Sequence, residues 1–215
     1  MRRVGILGGT FNPPHLGHLA VASHASEELG LQRVLLMPAH IPPHKRAEAD
    51  PGPEHRLGMC RLLVKDAPGL SVCALETERD GPSYTVDTLR AIHASHPEAQ
   101  LTLILGADSA STLSTWREPT ELLGLADLAV AAREGAGRRV VLDALAPLLV
   151  VRPQIGSDRS ATEVRFLNMP VTEVSSSTAR ERVARGDSIE DLVGPRVARY
   201  IAEYGLYRSS AEAGS

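Results

Sequence analysis

Two cysteines, Cys60 and Cys73, are all that the 215 residues contain, which leaves no disulfide framework and no metal-ligand spacing to read. No stretch approaches the roughly 18 consecutive apolar residues of a membrane span. A formal charge of −3 argues against nucleic-acid recognition through a broad basic face, though not against a local basic pocket, and points to a small-molecule partner. Met1-Arg2-Arg3 opens as a charged leader would, but Gly8-Gly9-Thr10 breaks the apolar run behind it and no cleavage signal follows. Export is therefore not expected, and the cytoplasm is the expected compartment. With 43% hydrophobic and 23% charged residues the composition is that of an ordinary globular protein, so disordered, fibrous and coiled-coil classes drop out. The length suits one large core. We expect one domain over 1–208, with a helical subregion from about residue 175 and a disordered tail at 209–215.

Two common phosphate-binding signatures are missing as well. No G-x-x-x-x-G-K-[ST] occurs, and Gly5, Gly8, Gly9 and Gly17 are wrongly spaced for G-x-G-x-x-G. Around those glycines the chain nevertheless reads strand, tight turn, helix. Val4 to Leu7 is a short apolar run bounded by glycine, and Leu16, Leu19, Ala20 and Leu29 recur at helical spacing until Gly30 supplies a stop. Gly8 and Gly9 let a bulky ligand come close to the main chain. The helix start behind them offers unpaired N–H groups and a positive dipole end, which favour an anion. His15 and His18, three apart, put both imidazoles on one helix face beside that turn, where they can donate to phosphoryl oxygens. One such histidine alone is more often a satisfied core residue; the pair directly after Gly8-Gly9-Thr10-Phe11 favours a phosphate site.

Arg33 to Met37 reads as a second buried strand, and a strand-helix-strand opening implies a parallel pair. The prolines of Pro38-Ala39-His40-Ile41-Pro42-Pro43-His44-Lys45-Arg46 exclude a helix there, and with it a helical zinc pair from His40 and His44. Lys45 on this stiff loop can reach a phosphate as a point charge, or it can be a solvated surface lysine. A helix over His55 to Val64 and a strand over Ser71 to Leu75 follow. Beyond the polar Glu76 to Asp80 comes a helix with Val86, Leu89 and Ile92 inward and Ser83 or Thr85 as its cap. Leu101 to Leu105 is the clearest strand; Asp108, just past it, either caps a helix or meets a ribose or a metal-triphosphate. Trp116, the one tryptophan, lies in a polar run and is either a stacking platform or a partly buried structural residue. After a strand over Leu128 to Ala132 the pattern thins out. Residues 133–168 read as variable and mobile, with a weak helix over Val140 to Leu145.

Ser175-Ser176-Ser177 followed by Arg180 forms a second anion site, with hydroxyls and free N–H groups at a helix start and a guanidinium one turn in; an ordinary cap beside a surface arginine is the alternative. The last helix, from Gly194-Pro195, packs through Val197, Tyr200, Ile201 and Tyr204. If one ligand uses both anion sites, the two ends of the chain must meet in space, and a nucleoside triphosphate is long and charged enough to need both.

Gly8-Gly9-Thr10-Phe11-Asn12-Pro13-Pro14-His15-Leu16-Gly17-His18 resembles the signature of the (H/T)xGH nucleotidyltransferases, and Ser175-x-Ser177-x-x-Arg180 resembles their second signature. Ile41-Pro42-Pro43-His44-Lys45, Gly81-Pro82-Ser83-Tyr84-Thr85-x-Asp87-Thr88-Leu89, Gly106-x-Asp108 and Trp116 are similar to the nicotinate mononucleotide adenylyltransferases among them. The resemblance implies a Rossmann-like doubly wound α/β fold, mainly parallel, with helices on both faces and a small C-terminal helical part. It implies adenylyl transfer from ATP to nicotinate mononucleotide, with His15, His18 and Arg180 catalytic and Gly8, Gly9, Thr10, Phe11, Gly106, Asp108, Ser175, Ser176 and Ser177 around ATP. Lys45, Tyr84, Thr85, Trp116 and Arg117 would hold the acceptor, with Trp116 stacked on the pyridine ring and main-chain N–H groups near Thr85 receiving its carboxylate. Mg²⁺ would ride on the ATP phosphates with no protein side-chain ligands. Nucleic acid and membrane are not expected as partners, and a homodimer is left open. The family's Arg-Pro-Gly after the Leu128 strand is replaced by Arg133-Glu134-Gly135, so no role is assigned to Arg133. Competing readings are a sibling that uses nicotinamide mononucleotide or pantetheine phosphate, a binding-only regulator, and a class I tRNA synthetase fragment, which would need a lysine-rich second signature that is not here.

Overall fold

The structure, a computed structural model, describes residues 2–43, 49–132, 136–149, 162–168 and 174–208. Six strands, β1 (Arg3–Gly9), β2 (Arg33–Pro38), β3 (Leu70–Val72), β4 (Gln100–Gly106), β5 (Asp127–Ala131) and β6 (Val164–Leu167), form one sheet in the order β3-β2-β1-β4-β5-β6. Every pairing is parallel. Parallel strands need covered crossovers, and the helices supply them on both faces. Successive residues therefore serve different cores. Ile6, Leu103, Leu105 and Val130 face α3 (Thr85–Ser95), α5 (Pro119–Leu125) and α6 (Ala136–Leu149), whereas Leu7, Ile104 and Ala129 face α1 (Leu16–Glu28) and α2 (Pro53–Leu63). A third apolar cluster joins Met59 of α2 to α7 (Ser176–Ala184), α8 (Glu190–Val193) and α9 (Pro195–Glu203), through Ala179, Ile189, Leu192, Val197 and Ile201.

The strand order turns back at β1: β2 and β3 extend to one side, then β4 returns to the other. Ligands of open α/β sheets bind at such a reversal, beyond the carboxyl ends of the strands. The turn after β1 and the short helix α4 (Ala107–Ser111) after β4 both start there. A Cβ added to Gly8 or Gly106 would meet no atom within 4 Å, so the main chain at both strand ends is open to close approach.

Several expectations need correcting. The α1 face that packs is built from Ala22 and Ala25 more than from Leu16 and Leu19, because small residues let the helix sit close on the sheet. β3 ends at Val72, short of Leu75. Neither Ser83 nor Thr85 caps α3: Tyr84 stands at the N-cap without a side-chain bond, and Ser83 Oγ instead accepts from the His40 N–H at 2.9 Å. Among the described residues past 133, α6 runs for 14 residues, beyond the helix expected over Val140 to Leu145, and β6 pairs with β5 as an edge strand. Tyr204 is 53% exposed and not in the core; it lies at the C-cap of α9, tilted on the Tyr200 ring. Lys45, Arg133 and 209–215 lie outside the described residues. Among the described residues no helix is long and apolar enough to cross a membrane.

Candidate active site

The turn from Gly9 to His15 is held from several directions. Phe11 takes a left-handed φ of 53° yet is buried, its ring beneath Gly9 and edge-on to His18 at a centroid distance of 4.8 Å. The Asn12–Pro13 peptide is cis. His15 is the N-cap of α1, and its backbone N–H donates to His18 Nδ1 at 3.2 Å. A nitrogen that accepts carries no proton, so neutral His18 keeps its hydrogen on Nε2 and has that donor left for a ligand. The two imidazoles stack with centroids 3.6 Å apart. Gly17 permits this: a Cβ there would stand 3.0 Å from His15 Nδ1. Burial lowers the His15 pKa from 6.5 to about 4. Burial, and after it the neighbouring His15, holds His18 well below its usual value. Both rings are therefore neutral donors at pH 7, and a phosphate anion is a natural partner for such buried N–H groups.

The two anion-binding signatures, more than 150 residues apart in sequence, are in direct contact. Arg180 Nη1 donates to the Asn12 carbonyl at 2.8 Å, and Ser176 Oγ donates to the Pro13 carbonyl at 2.8 Å. Ser175 caps α7 by accepting from the Thr178 N–H at 3.1 Å. The three serines thus differ. Ser175 holds the helix start, Ser176 ties it to the β1 turn, and Ser177, 3.1 Å from Ser175 Oγ, is the exposed one of the three.

Ahead of α3, a rim of loops is zipped together. His40 donates its backbone N–H to Ser83 Oγ and, from Nδ1, a ring N–H to the Arg79 carbonyl at 2.7 Å, while Ser83 N–H donates to the Ile41 carbonyl at 2.9 Å. His40 is therefore a structural clasp. Buried Glu76, whose pKa is pushed up by burial, accepts from Thr88 Oγ1 at 2.7 Å and steadies the first turn of α3. Thr85 opens that helix, so its N–H is one of those that helix geometry leaves without a carbonyl partner. The Arg117 guanidinium lies 4.8 Å from the centre of the Tyr84 ring and pairs with Asp87 and Glu118. Trp116, half-buried, packs against the same core as Tyr84. The indole is thus anchored in the core and keeps part of its surface exposed. Asp108 is exposed in the first turn of α4, which starts from Gly106. Among the described residues no group of three or more His, Cys, Asp or Glu is placed to hold a metal ion.

Two contributors escaped the reading of the sequence. Tyr207, beyond the last helix, donates its phenol to Asn12 Oδ1 at 2.8 Å. Fully buried Arg56 donates to the Thr10 carbonyl at 3.0 Å and to the carbonyls of Ala39 and His40. A signal for Arg56 existed, since it is a charged residue beside Leu57, Met59 and Cys60 on a helix face that packs inward. Nothing local distinguishes Tyr207.

The fold and this site define a nucleotidyltransferase of the cytidylyltransferase-like family, whose profile matches residues 6–182. Probable nicotinate-nucleotide adenylyltransferases are similar along nearly the whole chain. The one from Symbiobacterium thermophilum is 40% identical, with 96% of each chain covered. The one from Bordetella petrii is 41% identical, with 97% of this chain and 100% of that one covered. The chain therefore belongs to the nicotinate-nucleotide adenylyltransferase family. A solved Plasmodium falciparum nicotinic acid mononucleotide adenylyltransferase complexed with NaAD shares the fold, with a TM-score of 0.74 at 19% identity over 96% of this chain and 98% of that one.

Proposed function

We propose that the chain transfers the adenylyl group of ATP to nicotinate mononucleotide, releasing pyrophosphate and forming nicotinate adenine dinucleotide in NAD biosynthesis. The observation that carries this reading is the contact between the Asn12–Pro13 turn and the start of α7, which brings both anion sites to one strand end. His15, His18, Ser177 and Arg180 then surround one triphosphate. Gly8, Gly9, Thr10 and Phe11 shape the turn beneath it, and Gly106 and Asp108 border it from the end of β4.

The acceptor's phosphate monoester has a second pKa of about 6 and is already ionised near neutrality. Its oxygen attacks Pα directly, the bond from Pα to the bridging oxygen breaks, and that oxygen leaves on pyrophosphate. No general base is needed. Catalysis consists of alignment and of donors aimed at the charge that builds on the oxygens around Pα and on the leaving group. Neutral His18 supplies Nε2–H, and Arg180 supplies a fixed positive charge. Mg²⁺ enters with ATP, held by its phosphates and by water. Lys45 meets the acceptor, Trp116 stacks on its pyridine ring, and the N–H groups at the start of α3 receive its carboxylate, with Tyr84 and Arg117 forming the wall beside them. On this reading the partners are small molecules and the enzyme works in the cytoplasm.

The test is pyrophosphate release with Mg-ATP and, separately, nicotinate mononucleotide, nicotinamide mononucleotide and pantetheine phosphate. A large kcat/KM preference for the nicotinate acceptor is expected. Preference for another acceptor would keep the chemistry and change the substrate, and no release with any of them would contradict adenylyl transfer.

A further inference from the structure

Arg56 lies on α2, has no exposed surface, and is the most deeply buried charged side chain among the described residues. A guanidinium withdrawn from water is retained only where its hydrogen bonds are made good, and here the partners come from three separate stretches. Nη1 reaches the Thr10 carbonyl, in the turn after β1, at 3.0 Å, and also the Ala39 carbonyl. Nη2 reaches the His40 carbonyl at 2.9 Å, where the loop after β2 begins. Nε reaches Asp50 Oδ1 at 2.9 Å, where that loop ends, and the same carboxylate oxygen accepts from the Gly52 N–H at the start of α2.

Core packing alone does not call for this arrangement. Leu57, Met59 and Cys60 already fill the inward face of α2, and a leucine at 56 would serve the core while leaving three carbonyls without this donor. What the planar fork adds is a fixed distance between the turn after β1 and the start of the loop after β2, where His40 is in turn clasped to Ser83 just ahead of α3; on the reading above these two places hold the nucleotide and the acceptor. A lysine cannot reproduce it, because an ammonium is a single centre and the acceptors are spread around a plane. We infer that Arg56 is a positioning residue for the reaction, setting the separation between the two bound substrates while touching neither. The inference rests on the adenylyl-transfer reading above.

The experiment uses the full chain and compares wild type, Arg56→Lys, Asp50→Ala and Asp50→Glu. It measures kcat, both KM values, equilibrium binding of a non-hydrolysable ATP analogue, and thermal unfolding. Since misplacement by about 1 Å costs up to about 10²-fold in rate, Arg56→Lys is expected to lose about 10-fold to 10²-fold in kcat while analogue affinity changes by less than about 3-fold. Asp50 is at the surface end of the contact, its side chain 27% exposed, so water can take the place of its carboxylate on Arg56 Nε when it is removed. Asp50→Ala should raise the acceptor KM about 5-fold and leave the ATP KM near wild type, and Asp50→Glu should restore most of that change, as expected when only one anchor of the fork is loosened. An Arg56→Lys enzyme with wild-type kcat overturns the inference, as does an Asp50→Ala enzyme that weakens both substrates equally or neither. If Arg56→Lys does not melt cooperatively, the Asp50 pair decides alone. A wild-type chain without turnover overturns the functional reading and this inference with it; wild-type turnover with unaffected variants overturns only the inference.

Discussion

The turn after β1 and the rim around the start of α3 are built from different interactions. Around the β1 turn the ties are short hydrogen bonds to main-chain carbonyls, from Arg56, Ser176 and Arg180, together with two buried, stacked, neutral imidazoles. At the rim, α3 is laced to Arg117, Glu118 and the first turn of α5 by half-buried and exposed charges. Arg90 meets Asp87, Glu118 and Glu121, while Arg117 meets Asp87 and Glu118. Buried hydrogen bonds resist salt and fix atoms; exposed ion pairs are screened and contribute little. On the proposed reading, the transfer chemistry falls to the hydrogen-bonded end and selection of the acceptor to the ion-paired rim.

Mutations can break this comparison. The largest effect should come from His18→Ala. Loss of a donor aimed at developing charge costs about 10²-fold or more in kcat, and an unchanged kcat in steady-state assays would remove His18 from the chemistry. Next comes a pH effect at His15. Its folded pKa of about 4 lies below the 6.5 of the unfolded chain, so between those values the unfolded chain binds more protons and stability falls as pH drops. The loss is complete near pH 4 and absent above pH 6.5, and amounts to at most about 3 kcal/mol. In His15→Asn the slope of Tm against pH across that window should flatten; the wild-type slope would mean that other groups set it.

The acceptor rim should answer differently. Trp116→Ala is expected to raise the acceptor KM about 10-fold through lost stacking area, with the ATP KM little changed, and equal rises in both would assign the indole to folding. The smallest effect belongs to Arg90→Ala, which should raise the acceptor KM a few-fold in dilute buffer and by less at high ionic strength. A salt-independent rise would show that the lacing at the rim is not electrostatic.

Much of this was legible in the sequence because the information is local. Apolar runs punctuated by glycine gave β1, β2 and β4 their positions, and the motif glycines and histidines sit where a helix start needs them. Contacts made with backbone atoms across the fold leave no such trace. That Ser176 ties the turn while Ser177 stays exposed depends on the packing of α7 against Pro13, which three identical neighbours in a row do not reveal. Tyr207 reaches Asn12 across 195 positions. Ser83 looked like a cap but serves His40, because a partner on another loop lay in reach. Val164 to Leu167 stands out in the sequence ahead of the serines, but its pairing as edge strand β6 does not, since an edge position needs only partial burial of Val164 and Phe166.

The central claim is that the protein aligns two bound phosphates for direct transfer and contributes no nucleophile of its own. The stereochemical course at Pα tests it most directly. With ATP carrying a chiral α-phosphorothioate and nicotinate mononucleotide as acceptor, a single in-line displacement predicts inversion at phosphorus in the dinucleotide product. Retention would require two displacements through an adenylylated side chain and would contradict the account.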